Sequence, residues 1–208
     1  MDGKLCDKSC GEFTELLSSK APAPGGGGAA ALCGALAVSL CAMSAQLTSG
    51  RKKYAGYQEL LDRCISSAEG IRKRFTELID LDRENFLPLQ RAYSMDKAAP
   101  ERERVIRDAS LKACEAPLEM LRLCAASAEL LRDMDTVGNP MLISDVGCGA
   151  ALCAGAMESA AMNVFVNTRS LRGDGEAEKI KKEARRLLDE NLEPMRELSG
   201  RITERLAE

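Results

Sequence analysis

Hydrophobic residues recur at helical spacing along most of the chain. Apolar side chains at i, i+3, i+4 and i+7, the pattern of an amphipathic α-helix, mark three long segments: residues 58–86, 101–134 and 176–207. Pro88, Pro117 and Pro194 fall inside these segments and are expected to kink or break them. No run of alternating β-branched residues is long enough for a strand. The pattern predicts an all-α protein, a multi-helix up-and-down bundle forming a single domain over residues 1–208.

Two further segments, residues 29–47 and 146–165, are apolar on nearly all sides and rich in Ala, Gly, Cys and Ser. About 20 apolar residues suffice to span a bilayer, but Ser39, Gln46 and Glu158 interrupt these two stretches. A helix that is hydrophobic all round and dominated by small residues is typical of the centre of a tightly packed bundle. We therefore expect two buried, small-residue-rich helices and no membrane segment.

The same two helices also favour association with a second copy of the chain. Small side chains let helix backbones approach closely, and two such helices in one chain offer a large surface for pairing. We therefore expect an obligate homodimer whose interface continues the core.

Composition narrows the chemistry that the chain can perform. The 208 residues include no histidine, which excludes a Ser-His-Asp triad, a Cys-His pair and a His-ligated metal site. Proton transfer near neutral pH must then involve carboxylates, Lys, Tyr, Cys or water. The aromatic content of 3% and the formal net charge of −3 argue against a nucleic-acid partner, because such proteins stack bases on aromatic rings and are normally basic.

The nine cysteines are expected to be reduced. Four lie among Ala, Leu and Val and are expected to be small core residues: Cys33, Cys41, Cys148 and Cys153. Cys6 and Cys10 are spaced one helical turn apart, but without two further ligands nearby they make a weak zinc site, and no metal is expected. Reduced thiols indicate a cytoplasmic protein, and the polar character of residues 1–9 predicts no signal peptide.

A glycine run leads directly into the first apolar helix. Gly25, Gly26 and Gly27 allow a backbone to approach a ligand closely, and a helix N-terminus presents unpaired N–H groups. The combination suits an anionic ligand. The alternative interpretation is a flexible linker between helices.

A basic turn follows the other end of the same helix. Arg51, Lys52, Lys53 and Tyr54 form a small basic patch for an anionic substrate, or else cations that complement the helix dipole and add solubility.

Two carboxylates interrupt an apolar run. Asp80 and Asp82 are spaced i and i+2, so they do not share a helix face, and we expect one to point inward while the other meets solvent. An inward carboxylate has a raised pKa and can act as an acid or base near neutrality. The alternative is a pair of solvated helix charges.

Polar residues also flank the second apolar helix. Ser144 or Asp145 is a natural N-cap for it. Asn163 and Asn167 lie one turn apart near its far end. A buried Asn needs hydrogen-bond partners, which a polar heterocycle can supply.

Taken together, these motifs resemble the cyclodeaminase/cyclohydrolase family in their order and spacing. That family comprises the C-terminal domain of formiminotransferase-cyclodeaminase and its stand-alone bacterial relatives. The resemblance covers nearly the whole chain and rests on these motifs: Pro24-Gly-Gly-Gly27, Leu47-Thr-Ser-Gly-Arg-Lys-Lys-Tyr54, Leu78-Ile-Asp-Leu-Asp82 with Phe86, Ala92-Tyr93, Pro117-Leu-Glu119, Gly138-Asn139, Ser144-Asp145-Val-Gly147 and Asn163-Val-Phe-Val-Asn167.

The resemblance implies a dimeric enzyme of tetrahydrofolate one-carbon metabolism. Such an enzyme interconverts 5,10-methenyl-tetrahydrofolate and 10-formyl-tetrahydrofolate, or closes 5-formimino-tetrahydrofolate to the methenyl form with loss of ammonia. It needs no cofactor beyond the folate itself. For acid/base work we expect Asp82 first and Asp145 second, with Glu119 as an orienting group.

The substrate's two ends are assigned on the same basis. We expect its anionic glutamate tail to meet the basic turn, and its pterin ring to meet Asn or Asp groups. The alternative from another class is a non-catalytic helical scaffold or folate-binding module, which accounts equally well for the amphipathic helices.

Overall fold

In a computed structural model, residues 3–208 form α-helices and two 3₁₀ helices, with no strand in that range. The α-helices are α1 (Cys10–Leu17), α2 (Gly26–Thr48), α3 (Gln58–Tyr93), α4 (Arg102–Ala113), α5 (Glu115–Val137), α6 (Ile143–Thr168) and α7 (Gly175–Ala207), and the 3₁₀ helices are Leu5–Asp7 and Lys52–Tyr57. The all-α prediction is confirmed. The signal-peptide prediction rests partly on residues 1 and 2, which lie outside the described residues.

Helices α2 and α6 lie at the centre and run antiparallel to each other. Gly26 at the start of α2 lies against Asn163 near the end of α6. At the other end, the Asn139 amide before α6 donates to the Thr48 hydroxyl of α2 at 2.8 Å. On the side of α6 that faces α7, Arg196 of α7 pairs with Glu158 at 2.6 Å. The prediction of two central, small-residue-rich helices is confirmed, because most of the buried positions of α2 and α6 are Ala, Gly, Cys and Val.

Glycines set the spacing between these helices. A Cβ built on Gly34 of α2 would lie 2.5 Å from the Phe75 ring of α3, and one on Gly147 of α6 would lie 2.8 Å from Ile202 of α7. Large side chains therefore fill the gaps that glycines leave, which brings the helix backbones close together. The packing of α2 against α3 also brings the start of α2 to the last third of α3, where Asp82 lies.

We expect Gly34→Ala to lower the free energy of unfolding by about 2 kcal/mol, because the added methyl overpacks against Phe75. Gly70→Ala on α3 is the matched control. No heavy atom lies within 4 Å of a Cβ at Gly70, so its higher helix propensity should stabilise the protein by about 0.5–1 kcal/mol. Urea unfolding of the two variants measures both effects, and equal stabilisation by both would contradict this account of the helix packing.

Several helix boundaries differ from those expected from the sequence. The segment 101–134 is two helices that break at Cys114, close to Pro117, whereas α3 and α7 continue through Pro88 and Pro194. The N-cap of α6 is Leu142. The prediction that Ser144 or Asp145 caps this helix was therefore wrong, because the helix begins at Ile143 and both residues lie within its first turn.

By length and composition α2 and α6 are also long and apolar enough to cross a membrane. About half of each apolar stretch, 56% and 50%, is buried against the other helices of the bundle. The cysteines are all free, with Cys41 and Cys153 in the core as expected. Cys33 is half-buried and Cys148 is exposed, so the core prediction was wrong for Cys148, which lies on the outer face of α6.

Candidate active site

A cavity of about 160 Å³ lies where the start of α2 meets the later part of α3, the end of α4 and the end of α6. Its lining combines backbone of the glycine run with one carboxylate, one guanidinium and two amides. The lining residues are Pro22, Ala23, Gly25, Gly26, Gly27, Asp82, Arg83, Phe86, Ala113, Asn163, Val166 and Asn167. Among the predicted site residues, the structure therefore brings together the three glycines, Asp82 and both asparagines.

The Asp82 carboxyl lies directly against the first turn of α2. A Cβ on Gly27 would overlap the carboxyl group, so only a glycine leaves room for it there. Burial raises the pKa of Asp82 from its ordinary value of 3.8 to about 6, although the backbone N–H of Gly28 acts in the opposite direction by favouring the charged form. Asp82 is therefore a carboxyl that can take up and release a proton near neutral pH.

Asp80 is turned to a different part of the molecule. Its carboxylate accepts hydrogen bonds from the backbone N–H groups of Leu5 at 2.7 Å and Cys6 at 3.2 Å, and only 8% of the residue is exposed. Burial acts to raise the pKa of Asp80, but these hydrogen bonds and Arg83 bring it below its usual value. The expectation that one of the two carboxylates meets solvent was wrong, because the N-terminal turn packs over α3 and covers Asp80.

The two asparagines project from one side of α6 into the cavity wall. The Asn163 amide donates to the Ser159 carbonyl at 2.8 Å, and the Asn167 amide donates to the Ala113 carbonyl at 2.9 Å. Pro117 lacks the N–H that would otherwise bond the Ala113 carbonyl in a continuous helix, so the helix break supplies Asn167 with its acceptor. The side-chain oxygens of both asparagines accept no hydrogen bond from residues 3–208, which leaves two acceptors for a ligand.

The basic turn lies at the opposite end of α2 within the same chain. Arg51, Lys52 and Lys53 are exposed there, and the 23 residues of α2 separate them from the glycine run by about 33 Å. Tyr54 is buried in the core, with the Lys53 ammonium 5.3 Å from the centre of its ring.

Asp145 also lies away from the cavity. It is in the first turn of α6, about 27 Å along that helix from Asn163. The structure of one chain therefore does not bring it to Asp82.

Glu119 is engaged elsewhere as well. Its two carboxylate oxygens accept hydrogen bonds from Arg74 at 2.6 and 2.8 Å, and these bonds lower the pKa of Glu119. Arg74 precedes Asp82 by about 12 Å along α3. Glu119 thus links α5 to α3 but does not line the cavity.

Several lining residues were not selected as site residues from the sequence. Phe86 follows Asp82 by one helical turn, so the i, i+4 spacing offered a signal for it. Arg83 offered none, because its position depends on the N-terminal segment: its guanidinium contacts Asp80 at 3.4 Å and donates to the Gly3 carbonyl at 3.3 Å. Val166 lies between the two asparagines on α6 and looks like an ordinary apolar residue in the sequence.

Most of the chain matches a known protein family. The model of the formiminotransferase-cyclodeaminase family matches residues 9–186. The chain belongs to this family. Among its members, the methenyltetrahydrofolate cyclohydrolase of Methylorubrum extorquens is 35% identical over 200 residues, which cover 94% of this chain and 92% of that protein.

The chain is also similar to part of a longer protein and to a protein of known structure. The formimidoyltransferase-cyclodeaminase of Rattus norvegicus is 27% identical over 190 residues, which are 89% of this chain but 35% of the rat protein. The fold is shared with the crystal structure of formiminotetrahydrofolate cyclodeaminase from Thermotoga maritima, at a TM-score of 0.82 and 24% identity over 97% of this chain and 96% of that one.

Proposed function

We propose that this protein is a methenyltetrahydrofolate cyclohydrolase, which adds water to 5,10-methenyl-tetrahydrofolate and releases 10-formyl-tetrahydrofolate. The observation that carries the proposal is the Asp82 carboxyl, held in a cavity against the first turn of α2 with a pKa of about 6. The extensive similarity to the cyclohydrolase of Methylorubrum extorquens favours hydrolysis as the reaction.

Asp82 is the group that handles the proton. The carbon between N5 and N10 of the methenyl form is an amidinium carbon and is electron-poor. Ionised Asp82 takes a proton from water as the oxygen bonds to that carbon. The C–N5 bond then breaks, N5 receives a proton back from the Asp82 carboxyl, and loss of the second water proton leaves the neutral formyl group on N10.

The polar wall of the cavity positions the folate. The free side-chain oxygens of Asn163 and Asn167 suit the N–H donors of a pterin ring. Gly25 and Gly26 allow the ring to approach the backbone, and a larger side chain at Gly26 would also meet the Asn163 amide. Holding N5, N10 and water in a fixed arrangement supplies part of the rate acceleration.

Cyclodeaminase activity is the second candidate, favoured by the family match over residues 9–186. In that reaction N10 attacks the formimino carbon, Asp82 takes the N10 proton, and the same carboxyl returns it to the departing ammonia. Both reactions share the methenyl form and need only proton transfer, so we propose that no metal or cofactor beyond the folate takes part. Activity that persists after EDTA treatment would agree with this.

The test of the proposed function is spectrophotometric. Purified protein should accelerate the decay of methenyl-tetrahydrofolate absorbance. A second assay, which follows the appearance of that absorbance from 5-formimino-tetrahydrofolate, measures the deaminase reaction. Asp82→Asn serves as the matched control for a contaminating activity. Absence of turnover in both assays would leave the non-catalytic folate-binding module, which calorimetry with tetrahydrofolate detects.

The remaining predicted site residues stay predictions. Glu119 can still orient α3 through Arg74, whereas Asp145, Arg51, Lys52 and Lys53 would have to reach the cavity from a partner copy. Free thiols are typical of reducing compartments, which supports a cytoplasmic location.

We expect this protein to form a homodimer through the outer faces of α2 and α6. Large apolar side chains that line neither the cavity nor its neighbouring groove are exposed on both helices: Leu36, Met43, Leu47 and Met162. Leu36→Glu should therefore shift the mass in sedimentation equilibrium from twice 22.4 kDa to that of one chain. Leu206→Glu, at an exposed leucine near the end of α7, should leave the dimer intact. A wild-type protein that sediments as one chain at micromolar concentration would contradict the expectation.

A further inference from the structure

Beside the cavity lies a second, shallow opening, which shares Val166 with it. This opening is lined by Tyr93, Val166, Arg169, Ser170 and Arg172. Val166 thus forms a common wall, and Arg169 follows it by about one turn at the C-terminal end of α6. A ligand that fills the cavity can therefore continue past Val166 onto the two arginines.

The two arginines are free to bind an anion. Both are exposed, and neither forms an ion pair with another residue in the described range 3–208. The next acidic residues along the chain are already occupied, because Arg107 binds Asp174 at 2.6 Å and Glu176 at 3.4 Å. The opening therefore presents two uncompensated positive charges.

Another opening adjoins the cavity at Pro22, Ala23 and Arg83, and its side chains offer less to an anion than the two arginines do. Pro22, Ala23, Arg83, Glu84 and Leu87 line that opening. The Arg83 guanidinium is already engaged with the Asp80 carboxylate at 3.4 Å and the Gly3 carbonyl. The carboxylate of Glu84 adds a negative charge there, so this side of the cavity offers an anionic group no uncompensated cation.

We propose that Arg169 and Arg172 bind the carboxylates of the substrate's glutamate tail, and that Tyr93 lies against the aminobenzoyl group that joins this tail to N10. The assignment rests on the proposed function and replaces the basic turn Arg51–Lys53 as the tail-binding site within one chain. Tyr93 is 49% exposed, which leaves one side of its ring available for stacking. The arginines supply guanidinium groups, which match carboxylates in geometry.

The prediction concerns the number of glutamates. A triglutamate tail carries more carboxylates than a monoglutamate, so the wild-type protein should bind the triglutamate form of methenyl-tetrahydrofolate more tightly. The double variant Arg169→Gln/Arg172→Gln should raise KM for the triglutamate substrate about tenfold, with a kcat change of less than about twofold, because two screened ion pairs are lost outside the reacting centre. Added salt should likewise weaken the preference of the wild type for the triglutamate over the monoglutamate.

Two comparison variants separate this site from general electrostatics. Arg72→Gln/Lys73→Gln removes two exposed cations of α3 that line neither opening, and its KM should equal that of the wild type. The triple variant Arg51→Gln/Lys52→Gln/Lys53→Gln tests the rival site. If it raises KM for the triglutamate and the Arg169/Arg172 variant does not, the tail binds at the basic turn of a partner copy and the proposal is overturned.

Failure of the proposed function is distinguishable from failure of this inference. If the wild-type protein does not turn over either folate, the proposed function fails, and calorimetry with p-aminobenzoyl-triglutamate still tests the arginines directly. Binding to the wild type but not to Arg169→Gln/Arg172→Gln supports the tail site. Equal binding to both proteins would overturn the proposal. So would a variant that loses thermal stability with KM unchanged, because the arginines would then only complement the dipole of α6.

Discussion

Replacing Asp82 by Asn is expected to lower kcat about 1,000-fold, since a positioned general base contributes roughly 10² to 10⁴ to the rate. The amide keeps the size of the side chain beside Gly27 but cannot take up a proton. In the wild type, kcat/KM should rise with pH below about 6 and level off above it, because the ionised carboxylate is the active base and its pKa is about 6. Steady-state kinetics between pH 5 and 8 measure both effects.

The control for this experiment lies two residues away on the same helix. Asp80→Asn removes a carboxylate that holds the Leu5–Asp7 turn through hydrogen bonds, so it should lower the melting temperature. The inflection of its pH profile should nevertheless stay near 6. An Asp82→Asn enzyme with near-normal turnover, or a profile that keeps its inflection, would remove Asp82 from the mechanism.

The Asp82→Asn substitution should also stabilise the fold at neutral pH. Because the folded pKa of Asp82 is raised above its unfolded value of 3.8 to about 6, the folded protein binds more protons between these values, and the wild type loses stability as pH rises through that window. At about 1.4 kcal/mol per pH unit, the wild type loses about 3 kcal/mol of its free energy of unfolding across this interval.

Urea unfolding of the two proteins as a function of pH tests this consequence. The stability of Asp82→Asn relative to the wild type should grow between pH 4 and 6 and stay constant above pH 7, since the contributions of other groups cancel in the difference. A difference that is the same at every pH would show that the carboxyl is well solvated.

Replacing Gly27 by Ala is expected to lower kcat/KM about 100-fold, because misplacing a reacting group by about 1 Å has an effect of that size. The new methyl would occupy the position of the Asp82 carboxyl, so the carboxyl must rotate away from the first turn of α2. A displaced and better solvated carboxyl has a lower pKa, and the inflection of the pH profile should therefore move below 6.

A glycine substitution elsewhere controls for changes in helix stability. Gly200 lies on α7, and a Cβ there would have no heavy atom within 4 Å, so Gly200→Ala should leave kinetics and pH profile unchanged. If Gly27→Ala were as active as Gly200→Ala, the close approach of Asp82 to α2 would have no catalytic importance.

Much of the site was accessible from the sequence, but its arrangement was not. The sequence predicts site roles for Asp82, the glycine run, Asn163 and Asn167, and all of them line one cavity. The separation of Arg51 from the glycines also followed from the sequence, because a helix over residues 29–47 is already about 27 Å long. The direction of each carboxylate did not follow, since Asp80 and Asp82 look equivalent in an apolar run and differ only in which neighbouring segment packs over them.

The helical architecture and its two central helices follow from the sequence alone, because the period of apolar residues and the distribution of small side chains are local properties of the chain. The sequence also limits the chemistry, since a chain without histidine leaves proton transfer near neutral pH to carboxylates, Lys, Tyr, Cys or water. The pairing of Glu119 with Arg74, and the position of Arg169 and Arg172 beside the cavity, depend on the tertiary packing. These relations join residues far apart in sequence, and only the packing of α3, α5 and α6 brings their side chains within reach of one another.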